Sequence, residues 1–150
     1  MGATTSVGNI LSQNIYISYI ENDKNAELLY KELIDLGYNT VKCDIKNNKD
    51  EFLDVEIFSE TITKIISKSL CIIVCLREES LRTFIQIIEI NHILDSSKNI
   101  IYIMTDENYT PLNKKNINGI IKDKLWLPAY DNNTINNTLD KINSLLKSFE

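Results

Sequence analysis

One histidine and three cysteines are all the imidazole and thiolate ligands that this 150-residue chain offers a zinc ion. With a single imidazole, and thiols at 43, 71 and 75, a zinc site is disfavoured. The odd, sparse cysteine count also excludes a disulfide framework and points to a reducing, cytoplasmic setting. Cys71 and Cys75 lie four apart in an apolar run and face one side as small buried hydrophobes. Clusters of Lys and Arg are missing too. The net charge is −5, with lysines interspersed among acids, which excludes a general nucleic-acid binder. No apolar stretch reaches membrane-spanning length. There is no G-x-G-x-x-G and no Walker A loop, so neither a dinucleotide Rossmann site nor a P-loop is supported. Internal repeats and domain linkers are absent as well.

What is present suits one α/β domain with a real core, at 43% hydrophobic residues. Residues 1–13 read as a flexible leader and 14–148 as the domain. MGATTS at the start matches a myristoylation pattern with Gly2 as acceptor. One acyl chain alone binds membranes marginally, so membrane contact is expected only if Gly2 is acylated. NIYISYI (14–20) is a short β-rich run. A helix follows, with Ala26, Leu29, Leu33 and Leu36 at helical spacing, Asn22 or Asp23 as N-cap and Gly37 as its stop. YNTVKCD (38–44) is strand-like, and the polar, acidic stretch 45–56 reads as a loop. FSETITKIISKS (58–69) is helical, with Phe58, Ile62, Ile65 and Ile66 on one face. LCIIVCL (70–76) is a continuous apolar run, the pattern of a strand covered on both sides, and KNIIYIMT (98–105) reads as another buried strand. Between them SLRTFIQIIEINHIL lies in a helix over 79–96. KLWLPAY (124–130) supplies a last strand and residues 132–149 a closing amphipathic helix. This alternation predicts a flavodoxin-like, three-layer α/β/α domain with a five-stranded parallel sheet. Its ligand crevice is expected beyond the carboxyl ends of the strands.

A response-regulator receiver shares that architecture, but its phosphorylated aspartate has no counterpart in CLREE. The ordered motifs instead resemble the Toll/interleukin-1 receptor (TIR) domain family over residues 14–148. IYISYIENDKNAELLYKEL resembles its first strand and helix, and LGYNTVKCD its second strand. FSETITKIISKSLCIIVCL, KNIIYIM and LWLPAY follow in the family's order. From Leu76 to Glu89 the spacing runs without a gap, which places Glu89 on the family's glutamate. Thr83 stands where the family often has serine, Ile85 where it has tryptophan and Gln86 where it has cysteine. Ile20 and Glu21 follow the SY pair where some NAD+-cleaving members carry arginine. The stretch from Asp44 to Phe58 is longer than the usual loop and lacks its glycine.

The resemblance implies signalling of the innate-immunity type. It also implies NAD+ as a substrate rather than a cofactor, with Glu89 as the essential carboxylate of a hydrolase. In glycosyl transfer from NAD+ the leaving group is already cationic, so no general acid is needed. A carboxylate beside the ribose stabilises the oxocarbenium-like centre or holds a ribose hydroxyl, giving ADP-ribose or a cyclic product. Tyr19, Phe58, Ser80 and Thr83 are the implied NAD+ contacts. Each also has a plain structural reading: strand end, core or helix cap. His92 reads as a packing or surface residue. The alternative is a non-enzymatic adaptor or decoy that associates with itself or with other TIR domains. The all-round apolar pattern of 84–94 suits that interface as well as it suits a pocket. The acidic stretch Asp50, Glu51, Asp54 and Glu56 could steer a basic partner.

Overall fold

The computed structural model describes residues 14–43, 54–109 and 126–149. The leader 1–13, Gly2, Asp44, Asp50 and Glu51 lie outside the described residues. Strand β1 (Asn14–Ser18) leads to helix α1 (Lys24–Asp35) and strand β2 (Asn39–Val41). Helix α2 (Val55–Ser67) and strand β3 (Ser69–Leu76) follow. A 3₁₀ turn (Glu78–Leu81), helix α3 (Phe84–Asp95) and strand β4 (Asn99–Met104) come next. Strand β5 (Trp126–Pro128) and helix α4 (Asn132–Ser148) close the described chain.

All five strands pair in parallel, in the order β2-β1-β3-β4-β5. The expected sheet is therefore the observed one. The chain steps one way from β1 to β2 and the other way through β3, so the strand order reverses beside β1. Open α/β sheets place their ligand crevices at such a reversal.

Alternation along the strands divides the core in two. Ile15, Ile17, Cys71, Ile73 and Cys75 face α1 and α4, so the two cysteines do share a side. Tyr16, Ile72, Val74 and Leu76 face α2 and α3. On β3, residues 71 to 76 are all buried, because helices cover both faces of this central strand.

The helix starts follow their caps rather than their apolar residues. Asp23 caps α1, accepting from the Ala26 N–H at 3.1 Å, while Asn22 takes the left-handed turn at φ 74°. Gly37, at φ 96°, ends that helix region as its composition suggests. Helix α2 begins three residues before the expected Phe58, because Asp54 accepts from the N–H groups of Glu56 (2.9 Å) and Ile57 (3.3 Å). The expected helix over 79–96 is two pieces. Extended backbone at Thr83 (φ −98°, ψ 133°) separates the 3₁₀ turn from α3. Among the described residues no helix is long and apolar enough to cross a membrane.

Ile73 sits fully buried at the middle of the central strand. Ile73→Ala is expected to cost about 2–5 kcal/mol, read as a lower urea midpoint at unchanged m-value.

Candidate functional site

Strand β1 delivers two hydroxyls to one face of the sheet. Tyr16 and Ser18 are two apart, so both point toward α3, while Ile15 and Ile17 pack on the other side. Helix α3 lays Glu89 across from them. The Tyr16 hydroxyl donates to one carboxylate oxygen of Glu89 and the Ser18 hydroxyl to the other. One turn earlier on the helix, Gln86 donates from Nε2 to the Ser18 oxygen at 3.0 Å. All four side chains are fully buried, at 0% exposure.

The all-round apolar pattern of α3 resolves into an unusual polarity. Glu89 and Gln86 point inward with Ile90 and Ile93, whereas Phe84 is 70% exposed. A buried carboxylate is costly unless hydrogen-bonded, and the two hydroxyls meet that requirement. The electrostatic consequence falls on Tyr16. Burial first, then the charge of Glu89 and its hydrogen bond, push this phenol well above its ordinary value of 10.0.

A cavity of about 240 Å³ opens next to this network, lined by Ile20, Glu21, Asn22, Glu79, Thr83, Ile85 and Gln86. It lies beyond the carboxyl end of β1, where the crevice is expected. Glu89 itself is sealed from it, with Gln86 in between. The volume falls below the roughly 300–1,000 Å³ of usual small-molecule pockets. It suits one ring of a dinucleotide rather than the whole.

Of the residues nominated as NAD+ contacts, Thr83 lines this cavity, exposed at the N-cap position of α3 without a side-chain capping bond. Tyr19 is engaged elsewhere: its hydroxyl donates to Glu27 and accepts from Lys42 Nζ at 3.2 Å. That lysine also lies 4.9 Å from the Tyr30 ring centre. Phe58 is fully buried in the core between α2 and the sheet. Ser80 is buried and accepts the Arg77 N–H at 3.0 Å, closing the 3₁₀ turn. His92 is half-buried in the last turn of α3. Tyr16, Ser18 and Gln86 were not anticipated. Their signal was present in the period-two placing of two hydroxyls on β1 and in a glutamine three residues before Glu89.

Glu79 also links the cavity to a second polar cluster at the strand ends, where Arg77 crosses toward Asp23 (3.8 Å), Glu79 (2.6 Å) and Asp106 (3.8 Å). Asp23 also accepts from the Thr105 hydroxyl at 2.6 Å. Burial raises the Asp23 carboxyl above its usual range, while the Thr105 and Ala26 hydrogen bonds and Arg77 act against that rise. Asn25 ties the neighbouring loops by donating to the carbonyls of Thr105 (3.0 Å) and Tyr130 (3.1 Å). These contacts hold the carboxyl ends of β3, β4 and β5 in register with the start of α1.

The class is thus an open parallel α/β domain whose strand-end crevice adjoins a buried, hydroxyl-bound glutamate. More particularly, it is a TIR-domain fold. The chain is similar to the crystal structure of the TIR domain of the Toll-related receptor TRR-2 from Hydra magnipapillata. That likeness has a TM-score of 0.65 and 17% identity, covering 91% of this chain and 99% of that one. No family model and no curated protein matches the sequence.

Tyr16→Phe leaves Glu89 one donor short, with an expected loss of about 1–3 kcal/mol in a urea titration. Below pH 10.0 the Tyr16 phenol stays protonated folded or unfolded; above it the unfolded chain ionises first, so this contribution to stability fades as pH rises. The alkaline fall in urea midpoint is therefore expected to be shallower in Tyr16→Phe than in the wild type.

Proposed function

We propose that this protein is a TIR-type NAD+ glycohydrolase, held in a closed form, with Glu89 as its essential carboxylate. The observation that carries this reading is the buried Glu89 itself, gripped by two hydroxyls beside a strand-end cavity. A leucine there would stabilise the core at lower cost, so a carboxylate at that place is suited to chemistry. Glu21 lines the cavity, as does Glu79 in its ion pair with Arg77, and the acidic side chain of Glu21 favours the cationic nicotinamide end of NAD+ over its pyrophosphate.

Once the ring enters, the C1′–N bond breaks and its electron pair leaves on the nicotinamide nitrogen, which becomes neutral. Glu89 stabilises the positive charge growing on the ribose, with Tyr16 and Ser18 fixing its orientation. Water adds to C1′ and loses a proton, giving ADP-ribose; capture of C1′ by the adenine ring instead gives a cyclic product.

A second reading, a non-enzymatic adaptor or decoy acting through TIR–TIR association, has its own support. Phe84 at the start of α3 is 70% exposed, and Val55 (45%) and Ile57 (58%) at the start of α2 are exposed too. Both helices begin at the carboxyl edge of the sheet, so these apolar groups share one end of the molecule. The cytoplasmic setting and the innate-immunity role belong to the same proposal.

Concentrated protein incubated with NAD+ is expected to release nicotinamide, and Glu89→Gln to lower the rate by roughly 100-fold or more with an unchanged circular dichroism spectrum. Equal turnover in Glu89→Gln would end the catalytic reading. No release even from crowded wild-type protein would favour the adaptor.

A further inference from the structure

We infer that Gln86 is the gate between the cavity and Glu89, an inference that rests on the NAD+-cleaving reading above. Gln86 borders the cavity and, fully buried, donates from Nε2 to Ser18 at 3.0 Å. Ser18 in turn donates to Glu89, so cavity, amide, hydroxyl and carboxylate stand in series. A hydroxyl that accepts from an amide is a better donor itself. The bond that closes the cavity therefore also directs the Ser18 proton onto Glu89.

The amide has a second place to go. Turned outward, Gln86 would leave Ser18 for the acidic lining of the same cavity, where Glu21 and the Arg77-paired Glu79 stand. Its Nε2 donor would exchange one acceptor for another and would not be stranded. The gate also resembles what it admits. The Gln86 side chain ends in a primary carboxamide, and so does the nicotinamide ring. The substrate's carboxamide nitrogen can take over the donor position on Ser18 as Gln86 withdraws. A nicotinate ring brings a carboxylate there instead, which supplies no donor and is repelled by Glu89. Gln86 thus keeps Glu89 covered until a carboxamide-bearing ring replaces it, and excludes the acid analogue.

The test reads the exposure of Glu89 directly. Full-length wild type, Gln86→Ala and Gln86→Met are treated with a water-soluble carbodiimide and an amine, and modified carboxylates are located by peptide mass spectrometry. Exposed Glu79 reports reagent activity, and buried Asp23 reports whether the fold is intact. Glu89 is expected to be modified about tenfold faster or more in both variants while Asp23 stays protected, the shift expected if the closed state dominates the wild type. Gln86→Met fills the space of the glutamine without its donor, so it keeps the test valid if the alanine variant fails to fold. Protection of Glu89 in Gln86→Met equal to that in the wild type would overturn the gate. In the wild type, NAD+ is expected to be cleaved faster than its nicotinic acid counterpart, and that preference to shrink in Gln86→Met; an unchanged preference would also overturn the gate. Fast modification of Glu89 with no nicotinamide release from any of the three proteins would retire the NAD+ reading while leaving the gate assigned.

Discussion

A carboxylate with no contact to water must be held by donors, and the rest of this site is arranged around that requirement. Glu89 lies between β1 and α3, and β1 offers it two hydroxyls on one face. The period of the strand puts Tyr16 and Ser18 on that face, and parallel pairing with β3 fixes their height, with Ser18 opposite Val74. The helix accepts an inverted polarity in exchange: two polar groups inside and a phenylalanine outside. Local consistency is broken here, and such a break is where function is to be sought.

The same arrangement links the two functional readings. The carboxyl edge carries the cavity and, at the first turns of α2 and α3, the exposed Val55, Ile57 and Phe84. A partner domain that covered those groups would press on the helix that carries Gln86 and Glu89. On the proposed reading, association and exposure of the carboxylate are then two aspects of one helix.

Much of the fold was legible because burial writes itself into composition. Residues 70–76 and 100–104 are unbroken apolar runs, and both lie in strands covered by helices. Helices with a strong apolar stripe, such as α1 and α4, were read within a residue or two. Boundaries set by single hydrogen bonds were less legible. Asp54 starts α2 early, and extended backbone at Thr83 divides a segment whose composition favours helix throughout. Glu89 was legible as a candidate from its isoleucine-rich surroundings and its spacing from Leu76. Its partners were not, because Tyr16 and Ser18 lie 73 and 71 residues away, and only the sheet brings them together. Tyr19 was chosen for its place at a strand end. Its side chain turns to the face of α1, where Glu27 and Lys42 hold it. A one-residue step along a strand exchanges faces, and that step separates Tyr19 from Ser18.

The central claim is that Glu89 is covered in the free protein and becomes the group that faces the ribose when substrate binds. Crystal structures of the free protein and of a complex with a non-cleavable NAD+ analogue test it most directly. The account predicts Gln86 bonded to Ser18 in the first structure. In the second it predicts Gln86 turned outward, the nicotinamide ring in its place and the ribose against Glu89. An analogue bound away from α3, with Gln86 still on Ser18 and Glu89 still covered, would contradict it.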